Sequence, residues 1–262
     1  MTVRFLETRF LERLRALGGN TDRSLHVLEE IDSTSDELRR RLCAGEGPGT
    51  IVVAHRQTRG RGRVGRTWHA PPEGNLSFSI AVELAGPTAE TVPLLPLAAG
   101  IAAHKAVDET GASAALKWPN DVLIDGRKLA GILCETARLS PEGALAIVGI
   151  GVNIADRPFP KEIEEIAVSL NRVLGSAANI SALAARFTAC LETWAARINA
   201  GERRAVPVRW KQSAEPFGRR VQVGDVIGNT ADLAPDGRLI VVDDAGTETL
   251  IAGGIVESLD LI

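Results

Sequence analysis

Five arginines, Arg56, Arg59, Arg61, Arg63 and Arg66, fall in a run of 26 residues between Glu46 and Glu73 that holds no carboxylate. With 33 acidic side chains in 262 residues, about three would be expected there, so the run is a local anion site in a chain whose net charge is only -3. Gly60, Gly62 and Gly65 alternate with the arginines. Backbone N–H groups can therefore come close to a ligand while guanidinium forks grip phosphate or carboxylate oxygens. Gly60 to Gly65 also fits G-x-G-x-x-G, and Gly60 to Thr67 nearly fits a P-loop with arginine in place of lysine. Both patterns need a helix directly after the glycines, whereas Trp68-His69-Ala70-Pro71-Pro72 must be extended or turning. Trp68 offers a face on which a planar base can stack, the alternative being an exposed loop of solvated arginines. Three glycines and several like charges predict a loop that stays loose until an anion binds.

Three further stretches carry chemistry. Lys117-Trp118-Pro119-Asn120-Asp121 ends a strand in a turn holding a cation, an amide and a carboxylate, and Pro119 keeps Trp118 out of a helix. Taken alone, it equally suits a structural turn with Trp118 in the core. Lys128-Leu129-Ala130-Gly131-Ile132-Leu133 sets a lysine at the start of an apolar strand. Reduced solvation there makes an ammonium a stronger point charge for a transferring phosphoryl or acyl group, unless the side chain snorkels to the surface. Only five lysines occur against twenty-five arginines, which makes the nearness of Lys117 and Lys128 informative. Gly149-Ile150-Gly151-Val152-Asn153 closes another strand with two glycines and an amide that both donates and accepts. Cys43, Cys134 and Cys190 are odd in number and far apart, which excludes a full disulfide framework and a zinc ribbon; reduced, mostly buried thiols are expected. His26, His55, His69 and His104 show no ligand spacing.

The elements that must position these residues are mixed. Val3, Leu6, Phe10, Leu14 and Leu17 predict a helix over 3–17, and Thr34 with Glu37 is spaced as a capping box for a second helix through Leu42. Thr50–Ala54 and Leu76–Leu84 predict strands on either side of the arginine-glycine run, the second with Leu76, Phe78, Ile80, Val82 and Leu84 on one face. A helix over 92–109 is regular only beyond Pro96. Asp125-Gly126-Arg127 marks a hairpin, Leu145–Ile150 a strand, and Leu183, Phe187, Leu191, Trp194 and Ile198 a helix closed by Gly201. Beyond about residue 214 short β runs alternate with Gly and Pro-Asp-Gly turns, as in a small barrel. The pattern is α+β, with helices on a mixed, largely antiparallel sheet. A 45% apolar content supports a sizeable core, no apolar run approaches a membrane span, and the N-terminus lacks a signal-peptide form, so a cytoplasmic protein with no membrane association is expected.

Together these segments resemble the biotin protein ligases, also called biotin–acetyl-CoA-carboxylase ligases, over residues 27–262. Gln57-Thr58-Arg59-Gly60-Arg61-Gly62-Arg63-Val64-Gly65-Arg66-Thr67-Trp68 is similar to the family's biotin loop, and the Lys117, Lys128 and Gly149 motifs follow in the family's order. The resemblance implies a biotin/lipoate ligase-like catalytic domain over 1–213 and a C-terminal SH3-like β-barrel over 214–262. It further implies that biotin and MgATP give biotinyl-5′-AMP and pyrophosphate, after which a lysine of a biotin carboxyl carrier protein or domain attacks the mixed anhydride. Ser33, Thr34, Ser35, Gln57, Gly60, Arg61, Gly62, Arg63, Lys128 and Gly131 fall on biotin contacts; Arg66, Trp68, Asn120, Asp121 and Asn153 fall in the nucleotide region. Arg63 and Lys128 are the implied catalytic residues, and Asp121 is the one candidate metal ligand, with Mg2+ held mainly by ATP. Because a carboxylate attacking a phosphate brings anions together, Arg61, Arg63 and Lys128 would offset the repulsion. Ser35 stands where the family usually carries Asn. The resemblance is compatible with a homodimer and leaves the carrier unspecified.

Three other readings compete. A lipoate–protein ligase shares the fold and the adenylation logic, and biotin-specific adenylate formation separates the two. A DNA-binding repressor would need a winged helix ahead of Ser33, for which fewer than thirty-three residues are too few, so a short form without that domain is expected. A nucleic-acid module built on the arginine-glycine loop would bind with steep salt dependence and ignore biotin.

Overall fold

The computed structural model of the chain describes residues 4–68 and 74–259. Val3, and the stretch from His69 to Pro72 for which extended backbone is expected, lie outside the described residues. Seven strands form the main sheet: β1 (Leu25–Ile31), β2 (Ile51–Gln57), β3 (Leu76–Ala85), β4 (Ala115–Lys117), β5 (Asp121–Ile124), β6 (Arg127–Ser140) and β7 (Gly143–Val152). Their order is β1-β2-β3-β7-β6-β5-β4. Only β1 and β2 run parallel, joined through helix α2 (Thr34–Cys43). The sheet is thus largely antiparallel, as the hairpin signals predict. The β5–β6 connection carries positive φ at both Asp125 (50°) and Gly126 (72°), the tight turn whose twist suits a two-residue hairpin.

The remaining helices are α1 (Glu7–Ala16), α3 (Thr88–Thr91), α4 (Leu95–Asp108), α5 (Leu170–Leu174), α6 (Ile180–Asn199) and α7 (Ala205–Lys211). Phe10 and Leu14 of α1, the alanine-rich α4 and Leu183, Phe187 and Leu191 of α6 bury the sheet face that carries Phe78, Ile80, Val148, Ile150 and Ile132. On the opposite face Leu38 and Leu42 of α2 cover Val52, Ala81, Leu145 and Ile147. Both faces of β3 are therefore buried, and Ser77 and Ser79 lie inside along with the apolar set. A one-sided strand is what alternation alone predicts; α2 supplies the second layer.

The start of α2 differs from the capping box expected at Thr34 and Glu37. Ser33 is the N-cap, its hydroxyl accepting from Asp36 N at 3.4 Å, and Glu37 instead pairs with Arg40 and Arg41 at 2.8 and 2.9 Å. Thr34 is thereby released for other bonds. Cys43, at the end of α2, is exposed rather than buried; all three cysteines are free.

After α7 the chain forms a second antiparallel sheet from β8 (Arg220–Val223), β9 (Val226–Leu233), β10 (Leu239–Val242), β11 (Glu248–Ile251) and β12 (Glu257–Ser258), in the order β11-β10-β9-β8-β12. Val221, Val223, Leu233, Leu239, Val241 and Ile251 join the main core, and Trp118 Nε1 donates to Gly237 O at 3.1 Å across the junction. Among the described residues no helix is long and apolar enough to cross a membrane.

Candidate functional site

Register makes the floor of the site. Ser77, Gly151 and Gly131 stand side by side across β3, β7 and β6, as do Ser79, Gly149 and Leu133. Beyond the part of this face that α2 covers, the residues are mostly glycine and serine, which leaves a hollow. A cavity of about 450 Å3 opens over it. Ser33, Thr34, Ser35, Gln57, Arg61, Gly62, Arg63, Arg66, Trp68, Asn120, Asp121, Lys128, Gly131 and Asn153 all line it, so residues from five separated motifs meet there. Gly60 does not. A Cβ on Gly60 would stand 2.7 Å from Trp68 O, so this glycine lets the two ends of the arginine-glycine loop close on each other.

One end of the cavity is a row of hydroxyls with a fixed polarity. Thr34 N donates to Gln57 Oε1 at 2.7 Å, and since a backbone N–H can only donate, the Gln57 amide is oriented. The Thr34 hydroxyl then donates to the same oxygen at 3.0 Å, and it accepts from Ser79 Oγ at 2.8 Å. Ser79, its proton spent, accepts from Ser35 Oγ at 3.0 Å. Gly149 makes room for this row, because a Cβ there would come within 2.7 Å of Ser35 Oγ. Gln57 Nε2 remains a donor and Ser35 keeps acceptor lone pairs. A ligand group that satisfies both must itself accept and donate, as an amide or a urea does.

The loop over the cavity is a small hairpin. Trp68 N donates to Gly60 O at 3.0 Å, Gly62 N to Arg66 O at 2.7 Å and Arg66 N to Arg63 O at 3.1 Å. Val64 and Gly65 turn it at φ of 52° and 72°, an unusual conformation for a β-branched residue. The arginines are not the mutually repelling set that the sequence suggests. Arg61 makes a two-pronged contact with Glu135 at 3.0 and 2.6 Å and reaches Asp36 at 2.8 Å. Its charge is compensated by these two carboxylates, while its side chain still lines the cavity. Arg63 NH1 donates to Asn120 Oδ1 at 3.3 Å and stays on the cavity wall.

At the other end Trp68 lies flat on the glycine floor: a Cβ on Gly151 would be 2.3 Å from its Cε2, and one on Gly131 would be 3.1 Å from its Cζ3. Lys128 Nζ lies 5.8 Å from the Trp68 ring centre and 2.7 Å from Asp121 Oδ1. The ammonium is partly exposed and paired, rather than stripped of solvent by an apolar strand. Asn153, which is buried, sends its Nδ2 to Lys128 O at 3.3 Å, so its amide braces the backbone of Lys128 while lining the cavity. Asn120 does the same for β6, donating to Ile132 O at 2.7 Å. Behind the loop, burial pushes the Cys134 thiol up to about 12, against the opposing field of Arg63, which leaves it a poor nucleophile. Asp121 is the only carboxylate among the described residues lining the cavity.

Sequence reasoning misses Ser79, Asp36, Glu135, the Ile163–Ala167 segment and Gly254–Val256, all of which line the cavity or hold its walls. Ser77 and Ser79 are detectable as polar residues alternating with the apolar Leu76, Phe78 and Ile80. Glu135 and Gly254–Val256 carry no local signal.

The family described as the biotin/lipoate A/B protein ligase family matches residues 27–153. The chain is 34% identical over 258 residues to the biotin--[acetyl-CoA-carboxylase] ligase of Mycobacterium tuberculosis, covering 91% of this chain and 90% of that one. It is 33% identical over 170 residues to the bifunctional ligase/repressor BirA of Bacillus subtilis; this match spans 63% of the chain and only 52% of the relative, about half its length. Among solved structures, the biotin protein ligase from Aquifex aeolicus in complex with biotin and ATP superposes with a TM-score of 0.76 at 29% identity, covering 90% of this chain and 98% of that one. The Leishmania major biotin protein ligase in complex with biotinyl-5-AMP gives 0.60 at 28% identity, over 91% and 99% of the two chains.

Proposed function

The chain belongs to the biotin protein ligases of the biotin/lipoate A/B protein ligase family, and on that premise we propose how its cavity is used. The enzyme activates biotin with ATP and transfers it to protein. The biotin carboxylate attacks the α-phosphorus of ATP, a new P–O bond forms as the bond to pyrophosphate breaks, and biotinyl-5′-AMP results. The ε-amine of a carrier lysine then attacks the acyl carbon, AMP leaves with the bonding electrons, and the amine gives up a proton.

What carries this reading is that one cavity receives both the hydroxyl row and the Lys128, Asp121 and Trp68 group. The row, with Gln57 as donor and Ser35 as acceptor, suits a cyclic urea. Arg63 and the N–H groups of the glycine loop face the new anhydride, Lys128 stabilises the charge that grows on the phosphate oxygens, and Trp68 supports the base. Magnesium enters with ATP, and Asp121 is the protein carboxylate in a position to meet it; bound there, it would neutralise phosphate charge. No side-chain nucleophile is needed, because the adenylate is held without a covalent bond. The acceptor is a biotin carboxyl carrier protein or domain, the need for ATP supports a cytoplasmic setting, and residues 214–262 act as an SH3-like unit that packs against a catalytic domain of residues 1–213 and lends Gly254–Val256 to its cavity.

Biotin-dependent exchange of pyrophosphate into ATP tests this directly. Biotinyl-5′-AMP accumulates without a carrier, and lipoate does not replace biotin. Exchange with lipoate alone, or a kinetically competent acyl-enzyme found by trapping and mass spectrometry, overturns the proposal.

A further inference from the structure

The arginine-glycine loop has little of its own to hold it in place. Its glycines bring no side chains, its backbone bonds run mostly within the hairpin, and its one apolar residue, Val64, is 70% exposed. Arg63 reaches Asn120 by a single longer bond of 3.3 Å. Arg61 is different. Both of its terminal nitrogens meet both oxygens of Glu135 on β6, at 3.0 and 2.6 Å, and one also meets Asp36 on α2 at 2.8 Å. Two parallel charge-assisted bonds fix direction as well as distance. Arg39 NH2 stands 3.7 Å from the same carboxylate, a second guanidinium beside Glu135.

We infer that Glu135 is a positioning residue that latches the loop over the cavity through Arg61, and that it governs how long the adenylate is kept more than how fast it forms. The inference rests on the functional reading above. Glu135 touches the loop rather than the reacting atoms. With the latch broken, the hairpin keeps its internal bonds but loses its tie to β6, and Arg63 swings away with it. The pair is partly exposed, at 38% and 22% of the two side chains, so added salt weakens it.

The test is a double-mutant cycle of Glu135→Gln, Arg61→Gln and the double variant, measuring single-turnover synthesis of biotinyl-5′-AMP, its escape into a trap of unlabelled biotin and ATP, and hydrogen exchange of amides 60–66 without ligand. Each single variant should release the adenylate about 3- to 10-fold faster, with synthesis changing by less, and the double should be no worse than either single. Sodium chloride should speed escape from the wild type and leave Glu135→Gln nearly unmoved. Unchanged escape in Glu135→Gln, or additive effects in the double, overturns the latch. Where Glu135→Gln fails to fold, Arg61→Gln and the wild-type salt dependence decide. Wild-type protein that makes no adenylate refutes the functional reading instead, and loop exchange alone then judges the latch: faster in Glu135→Gln supports it, equal rates refute it.

Discussion

Asp121 Oδ1 lies 2.7 Å from Lys128 Nζ, and the two residues come from facing strands of one hairpin. The cation is thus held on sheet rather than loop, with Asn153, just past the end of β7, bracing its carbonyl. Arg63 has the opposite support, a glycine hairpin tied down by its neighbours.

That contrast predicts different kinetic failures. Lys128→Ala should slow adenylate synthesis about 100-fold or more, as loss of one preorganised charge donor does, with little change in escape. Arg63→Ala should retain part of the synthesis and release the adenylate about 10- to 150-fold faster, the equivalent of one charge-assisted hydrogen bond. Rapid-quench synthesis measured beside a trapping assay checks both. Identical patterns in the two variants would end the division of labour.

Gly151→Ala should impair the nucleotide end without touching the hydroxyl row. A methyl group 2.3 Å from Trp68 Cε2 forces the ring off the floor, an overpacking that costs about 1–3 kcal/mol. The KM for ATP should rise about 5- to 150-fold while biotin binding measured without ATP changes little. Trp68 fluorescence, read in a variant lacking the other tryptophans, should report the displaced ring.

Thr34→Val should act at the other end. It removes the donor to Gln57 and the acceptor for Ser79 in a buried chain of hydrogen bonds. An unsatisfied buried group costs about 1–3 kcal/mol, so biotin affinity should fall about 5- to 150-fold, with a smaller effect on ATP. Calorimetric titration of each ligand separates the two, and equal losses for both would argue that the residue is only structural.

Stability should depend on pH through His104 on α4. Its Nε2 donates to Ala114 O at 3.1 Å, while Nδ1 is buried with no hydrogen-bond partner among the described residues. Burial, aided by Arg209 and Lys105, holds its pKa below the ordinary value against the pull of Asp108 and the Ala114 carbonyl. The folded protein therefore binds this proton less readily than the unfolded chain. Its contribution is present above the unfolded value of about 6.5 and is lost as pH falls below it. Melting temperatures between pH 7.5 and 5 should decline less steeply in His104→Gln than in wild type; parallel curves would refute the assignment.

Much of this architecture is legible in the chain because its signals are local. The Asp125-Gly126 turn, the helices closed by Gly201 and opened by Pro96, and the alternating β3 each follow from a few neighbouring residues. The arginine-glycine run announces itself by composition, whereas Lys128 and Asn120-Asp121 stand out through the family resemblance, and the sheet gathers all of them around one cavity. What sequence spacing cannot supply is pairing across distance. Arg61 and Glu135 are 74 residues apart, so nothing in the loop reveals that its first arginine is neutralised. Thr34 reads as a cap because Ser33, one residue earlier, is an equally good one. Nor does the spacing of Asn153 reveal that its amide also reaches the Lys128 carbonyl, 25 residues away in the chain.

Gly254, Ile255 and Val256 share a cavity wall with Ser33, far back in the chain. This order matters while the protein is being made. A nascent chain leaving the ribosome carries the hydroxyl row and the arginine-glycine loop early, yet it has no closed cavity until synthesis has passed Val256. A premature stop shortly before that point removes one wall of the cavity while leaving the hydroxyl row and the glycine floor in the chain.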